Sequence, residues 1–137
     1  MKKPNYNLKK LGTDYMDLYL IHQPHGEYVN MTPKIWNHRI PQFDSIPSVN
    51  QVEYNPYFQQ KELRSLLTEN DVKVEAWRPL AQGNADLLKE PAILAVAEKY
   101  SKNAGQVILR FENQEDIIVF PKSTKPERIR SNMEIQE

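Results

Sequence analysis

The spacing of apolar and polar residues changes period several times along the chain, and each change predicts an element. Met16 to Ile21 is a short apolar run rich in strand formers. It follows Leu8-Lys-Lys-Leu-Gly12, which reads as a helix end closed by glycine. Ser48 to Tyr54 alternates and reads as a second strand, stopped by Asn55-Pro56. Leu63, Leu66 and Leu67 then recur at helical spacing between Gln60 and Asn70, and Val72 to Trp77 forms a third strand ended by Pro79. From Glu90 to Tyr100, Ile93, Leu94, Val96, Ala97 and Tyr100 share one helical face. Ala104 to Gln114 continues with Val107, Ile108 and Phe111 on another. Ile117 to Phe120 is a fourth strand, and Thr124-Lys-Pro-Glu127 offers a capping box with proline in the first turn of a helix running through Arg128-Ile-Arg130. Strands alternating with helices predict an α/β fold with a parallel sheet and right-handed crossovers.

Residues 30–47 break the rhythm, with Pro33, Pro41 and Pro47 interrupting a polar stretch that contains Trp36, His38, Arg39 and Phe43. No internal repeat or low-complexity tract appears, so residues 1–137 read as one domain with an irregular insert at 30–47. Hydrophobic residues make up 39% of the chain and there are ten prolines, which predicts a sparse core for a sheet covered on both faces. Lys plus Arg number 18, as do Asp plus Glu, so no net positive field gathers nucleic acid or anionic lipid. The absence of cysteine excludes disulfides, thiolate metal sites and a cysteine nucleophile, and agrees with a reducing compartment. No apolar run is long enough for a signal peptide or a membrane span, so the expectation is a soluble, cytoplasmic protein.

In parallel α/β folds ligands gather at the carboxyl ends of strands, which here carry His22, Gln51 to Glu53, Trp77 with Arg78, and Lys122 with Ser123. Lys122 leaves a strand just before a helix, so helix dipole, amide groups, Lys122 and Arg128 can converge on a phosphate; a solvated basic turn is the plainer reading. His22 shares strand parity with Met16, Leu18 and Leu20, where an imidazole can either donate to a substrate carbonyl or serve the structure. Trp77 can offer a flat face to a heteroaromatic ring or act as a core aromatic, and Gln51 can read an amide or satisfy neighbouring backbone. His22, His25 and His38 follow no metal-ligand spacing, so no metal is expected.

Taken together the segments resemble the aldo-keto reductases. Leu11-Gly-Thr-Asp-Tyr-Met-Asp-Leu-Tyr-Leu-Ile-His-Gln-Pro24 is similar to the signature around that family's fourth strand, and Asn50-Gln-Val-Glu-Tyr-Asn-Pro56 to its sixth. Val74-Glu-Ala-Trp-Arg-Pro-Leu80 resembles the seventh, and Val119-Phe-Pro-Lys-Ser-Thr-Lys-Pro-Glu-Arg128 the eighth with its signature lysine. The resemblance implies a partial (β/α)8 TIM barrel of parallel strands, since 137 residues fall short of the roughly 250 of a full barrel. It implies NADPH as cofactor and a small carbonyl compound as substrate, reduced to an alcohol by hydride transfer. His22 would orient that carbonyl, Gln51 would meet the nicotinamide carboxamide, and Trp77 would stack on its ring. Leu80 would lie along the pyrophosphate loop with Arg78, which stands where the family often has a small hydroxyl residue. Lys122, Ser123, Thr124 and Arg128 would hold the 2′-phosphate, with Asn132 near adenine. The family's proton-donor tyrosine and its lysine and aspartate partners precede the fourth strand and map to no position here. Its fourth helix and fifth strand have no counterpart between Val29 and Ser48. The expectation is therefore an incomplete reductase, inactive by itself and able to self-associate through open barrel edges, with a non-catalytic nucleotide-binding or interaction protein as the alternative.

Overall fold

The computed structural model describes residues 4–22, 36–38, 41, 45–81 and 85–136. Their elements are α1 (Pro4–Leu11), β1 (Leu20–Ile21), β2 (Val49–Glu53), α2 (Lys61–Glu69), β3 (Lys73–Trp77), α3 (Ala85–Leu88), α4 (Pro91–Lys99), α5 (Ala104–Gln114), β4 (Ile117–Val119) and α6 (Pro126–Met133). The strands form one sheet in the order β1-β2-β3-β4, and β1 runs parallel to β2 with Leu20 opposite Val49 and Ile21 opposite Asn50. Spatial order follows chain order without reversal. That is the winding of a (β/α) barrel, whereas a doubly wound sheet reverses at a switch point.

The chain divides into two compact units, Met1–Gln51 with Lys61–Val74, and Val52–Gln60 with Glu75–Glu137. In the first, α2 turns Leu63 and Leu67 inward, four residues apart, and Ile21, Trp36, Val49, Val72 and Val74 are also buried. In the second, α5 packs against α4, β4 and α6, and buries Ile108 and Leu109 on the face that also holds Glu112.

The helix ends follow local chemistry. Gly12 has φ 70° and its N–H donates to the Leu8 carbonyl at 2.9 Å, closing α1 as its sequence predicts. Residues other than glycine take the same left-handed position after α2 and α4. Asp71 (φ 56°) and Ser101 (φ 52°) each sit in a paired closure, with Val72 N–H to Leu67 O and Lys102 N–H to Ala97 O, both 2.9 Å. Asn103 caps α5 in a reciprocal box: its side chain accepts from the Gln106 N–H at 3.0 Å, and its own N–H donates to the Gln106 side chain at 2.9 Å.

Three expectations need correction. The strand foreseen over 16–21 is regular only at Leu20–Ile21. Its partner β2 begins at Val49, and although Ser48 N–H still reaches the Tyr19 carbonyl at 3.0 Å, the next residue back is Pro47, which has no N–H to extend the ladder. The apolar face foreseen on 90–100 is largely uncovered: Ala97 is buried, whereas Leu94, Val96 and Tyr100 are exposed. The capping box foreseen on Thr124 is absent. Lys125 precedes Pro126 and is held extended at φ −99° and ψ 119°, so it becomes the cap residue, and no side chain caps α6. Of the insert at 30–47, Trp36 to His38 are helical and most of the remainder lies outside the described residues.

Candidate cofactor site

His22 and Gln51 belong to the first unit. His22 follows directly on β1 and is exposed; Gln51 is the middle residue of β2 and half-buried. Its neighbour Asn50 is fully buried, and neither polar atom of its side chain meets a hydrogen-bond partner among the described residues.

The other candidates lie in the second unit. Trp77 ends β3 half-buried, and the next residue reverses the chain: Arg78 has φ 61°, and its carbonyl accepts from the Ala81 N–H at 2.8 Å. A left-handed conformation costs a non-glycine residue about 1–2 kcal/mol, and a following proline adds a further restriction. Side-chain contacts set against that cost. The Arg78 guanidinium lies over the Trp77 ring, 4.8 Å from its centroid, and Nη1 is 3.7 Å from Glu53 Oε1. Leu80 is half-buried beside the start of α5, where a methyl group added to Gly105 would lie 3.9 Å from its Cδ1.

Past β4 the chain presents Lys122, Thr124, Lys125 and Arg128 exposed, with Ser123, Ser131 and Asn132 half-buried. The main chain here offers less than the sequence suggests. Pro126 has no N–H, the Arg128 N–H donates to the Lys125 carbonyl at 3.0 Å, and the Lys125 N–H donates to Ser123 Oγ at 3.1 Å. Recognition of an anion at this turn therefore falls mainly to the cationic side chains. Gln106 braces the far end of α6, its side-chain amide donating to the carbonyls of Ser131 at 3.0 Å and Glu134 at 3.1 Å.

Tyr57 is poorly suited to donating a proton. Its hydroxyl donates to Glu90 Oε2 at 2.7 Å, and that hydrogen bond, with some burial and the charges of Glu90 and Asp86, raises its pKa. A useful general acid needs the opposite shift. Among the described residues no three His, Asp or Glu side chains gather as a metal site would require.

Two features escaped the sequence reading. The Glu53–Arg78–Trp77 contact depends on a backbone turn that no periodicity reveals. Glu112 carried a signal that was passed over, because it continues the Ile108 and Leu109 face at helical spacing. It is fully buried, both carboxyl oxygens lack partners among the described residues, and burial pushes its pKa up to about 9.

A parallel sheet wound strand after strand, with charged and aromatic side chains after its strand ends, defines a (β/α)-barrel type of α/β protein. Comparison with known proteins makes the assignment specific. The Aldo/keto reductase family profile matches residues 34–137, and the chain belongs to that family. An aldo-keto reductase of Mycolicibacterium smegmatis is 35% identical over 94% of this chain and 55% of its own length. Methylglyoxal reductase DkgA of Yersinia pestis is 34% identical over 94% of this chain and 55% of its own length. Among solved structures, apo Gox0644 superposes with a TM-score of 0.75 at 30% identity, covering 96% of this chain and 56% of that one. A Gox0644 variant in complex with NADPH gives 0.68 at 31% identity, with the same coverage. The chain thus spans about half the length of the relatives it matches.

Proposed function

We propose that this chain carries the NADP-binding part of a carbonyl-reducing aldo/keto reductase site, with Lys122, Ser123, Thr124 and Arg128 on the 2′-phosphate and Asn132 toward adenine. The observation that carries this reading is the exposed cationic turn between β4 and α6, where Lys122, Lys125 and Arg128 flank one short loop. A phosphate monoester suits it, since exposed cations keep their side chains free to form charge-assisted hydrogen bonds. Glu127, in the first turn of α6, opposes an anion and limits the affinity. Trp77 offers its indole to the nicotinamide ring, Gln51 its amide to the carboxamide, and Leu80 an apolar edge to the pyrophosphate loop. His22 would orient the carbonyl of a small aldehyde or ketone. When bound, the cofactor supplies the hydride; the chain's own residues bind and orient it.

The chain alone is inactive in this reading. His22 positions a carbonyl, which leaves the hydride-transfer step without the proton-donor tyrosine that the resemblance implies, and general acid catalysis contributes about 10²- to 10⁴-fold. Among the described residues β1 and β4 are the end strands of the sheet, and their outer edges favour association of copies.

Calorimetry on the full chain with NADPH and NADH tests the phosphate site. NADPH should bind more tightly, and Lys122→Ala should weaken it about tenfold, the loss of roughly one charge-assisted hydrogen bond. Equal affinity for the two dinucleotides, or no loss in the variant, would remove the assignment. NADPH oxidation with an aldehyde, run beside His22→Ala, tests inactivity; turnover that vanishes in the variant would defeat it.

A further inference from the structure

We propose that Arg78, held by Glu53, is a specificity-determining side chain that controls whether a flat ring can stack on Trp77. The inference rests on the reading of Trp77 as the ring-binding residue and goes beyond it. Trp77 is half-buried, and over its ring, 4.8 Å from the centroid, lies the Arg78 guanidinium, itself 38% exposed. A ring that stacked on this face would have to displace the guanidinium. A planar guanidinium and a nicotinamide compete for the same surface, because both bind an indole by lying flat against it.

Glu53 decides which way this competition leans. Its carboxylate, 3.7 Å from Arg78 Nη1 and 33% exposed, holds the guanidinium in place and balances its charge, which makes it a weaker partner for a passing phosphate. The left-handed backbone at Arg78 starts the side chain from a turn immediately after β3, so the side chain folds back over the preceding residue. A small hydroxyl residue at the same position would leave the indole face uncovered. Arg78 thus acts as an internal competitor that selects for ligands whose ring stacks strongly enough to displace it.

Two measurements on the full chain test this. Acrylamide quenching of tryptophan fluorescence reads the stack without any ligand. Trp36 is fully buried, so a change in the quenchable signal reports Trp77. Arg78→Ser should raise it, and Glu53→Gln should move it the same way by less. Calorimetry then uses NADPH, reduced nicotinamide mononucleotide and 2′,5′-ADP as probes. Arg78→Ser should bind the two nicotinamide-bearing probes roughly fivefold more tightly, a factor equal to about 1 kcal/mol, the size of an exposed cation–π contact. Its affinity for 2′,5′-ADP, which has no nicotinamide to stack on Trp77, should not rise. Weaker NADPH binding in Arg78→Ser would overturn the proposal, since Arg78 would then be holding the dinucleotide. Unchanged quenching, or an unchanged affinity for the mononucleotide, would also overturn it. Failure of 2′,5′-ADP to bind the wild type would instead defeat the phosphate-site reading, and the mononucleotide would still decide the role of Arg78.

Discussion

Replacing Glu112 with glutamine should stabilise the protein by an amount that grows with pH. The carboxyl group is fully buried on α5, both its oxygens lack partners among the described residues, and burial raises its pKa from 4.5 to about 9. In the unfolded chain the group titrates near its ordinary value, so folding must keep or take up a proton anywhere between those two limits. The contribution of this group to stability is therefore greatest below pH 4.5 and declines as pH rises toward 9, by about 1.4 kcal/mol per pH unit. At pH 7 the accumulated loss is about 3 kcal/mol, and above pH 9 it reaches about 6 kcal/mol. A domain of ordinary stability holds only about 5–15 kcal/mol, so the effect is large. Urea unfolding at pH 5, 7 and 8.5 on wild type and Glu112→Gln is the assay. The two should nearly coincide at pH 5, because glutamine and a protonated glutamic acid bury similar unpaired polar groups. They should diverge by about 3 kcal/mol at pH 7 and by more at pH 8.5. Glu112→Leu, which removes the unpaired oxygens as well, should exceed Glu112→Gln by about 1–3 kcal/mol at every pH. A stability difference between wild type and Glu112→Gln that does not change with pH would refute the argument, and would mean that the carboxyl group reaches water or a cation.

Other substitutions test the local structure. Asn103→Ala removes one half of the reciprocal cap on α5 and should cost about 1 kcal/mol, read as a lower melting temperature. Ser101→Gly relieves the left-handed position after α4 and should raise stability by about 0.5–1 kcal/mol in the same assay, the unfolded-state entropy of glycine offsetting part of the gain.

The kind and order of most elements were legible in the chain, because those follow from short-range causes. An alternating run gave β2, and short strand-forming runs gave β3 and β4, within a residue or two of their ends; the leucines at helical spacing gave α2, and Gly12 ended α1 where its left-handed φ allowed. Two strand ends were also legible, since Trp77 closes β3 and Lys122 follows β4, whereas Gln51 falls in the middle of β2. Partners, in contrast, were decided only by the tertiary structure. The length of β1 depends on where Pro47 ends its neighbour's run of donors, and exposure of Leu94 and Val96 on α4 depends on which surfaces meet that helix. Periodicity says that a face is apolar; it cannot say that another element covers it. The same reason hid the charge on Glu112, whose titration is set by the packing of α5 and not by its place in the chain. It also hid the contact over Trp77, because Arg78 reaches the ring through a left-handed turn that its own sequence preference disfavours.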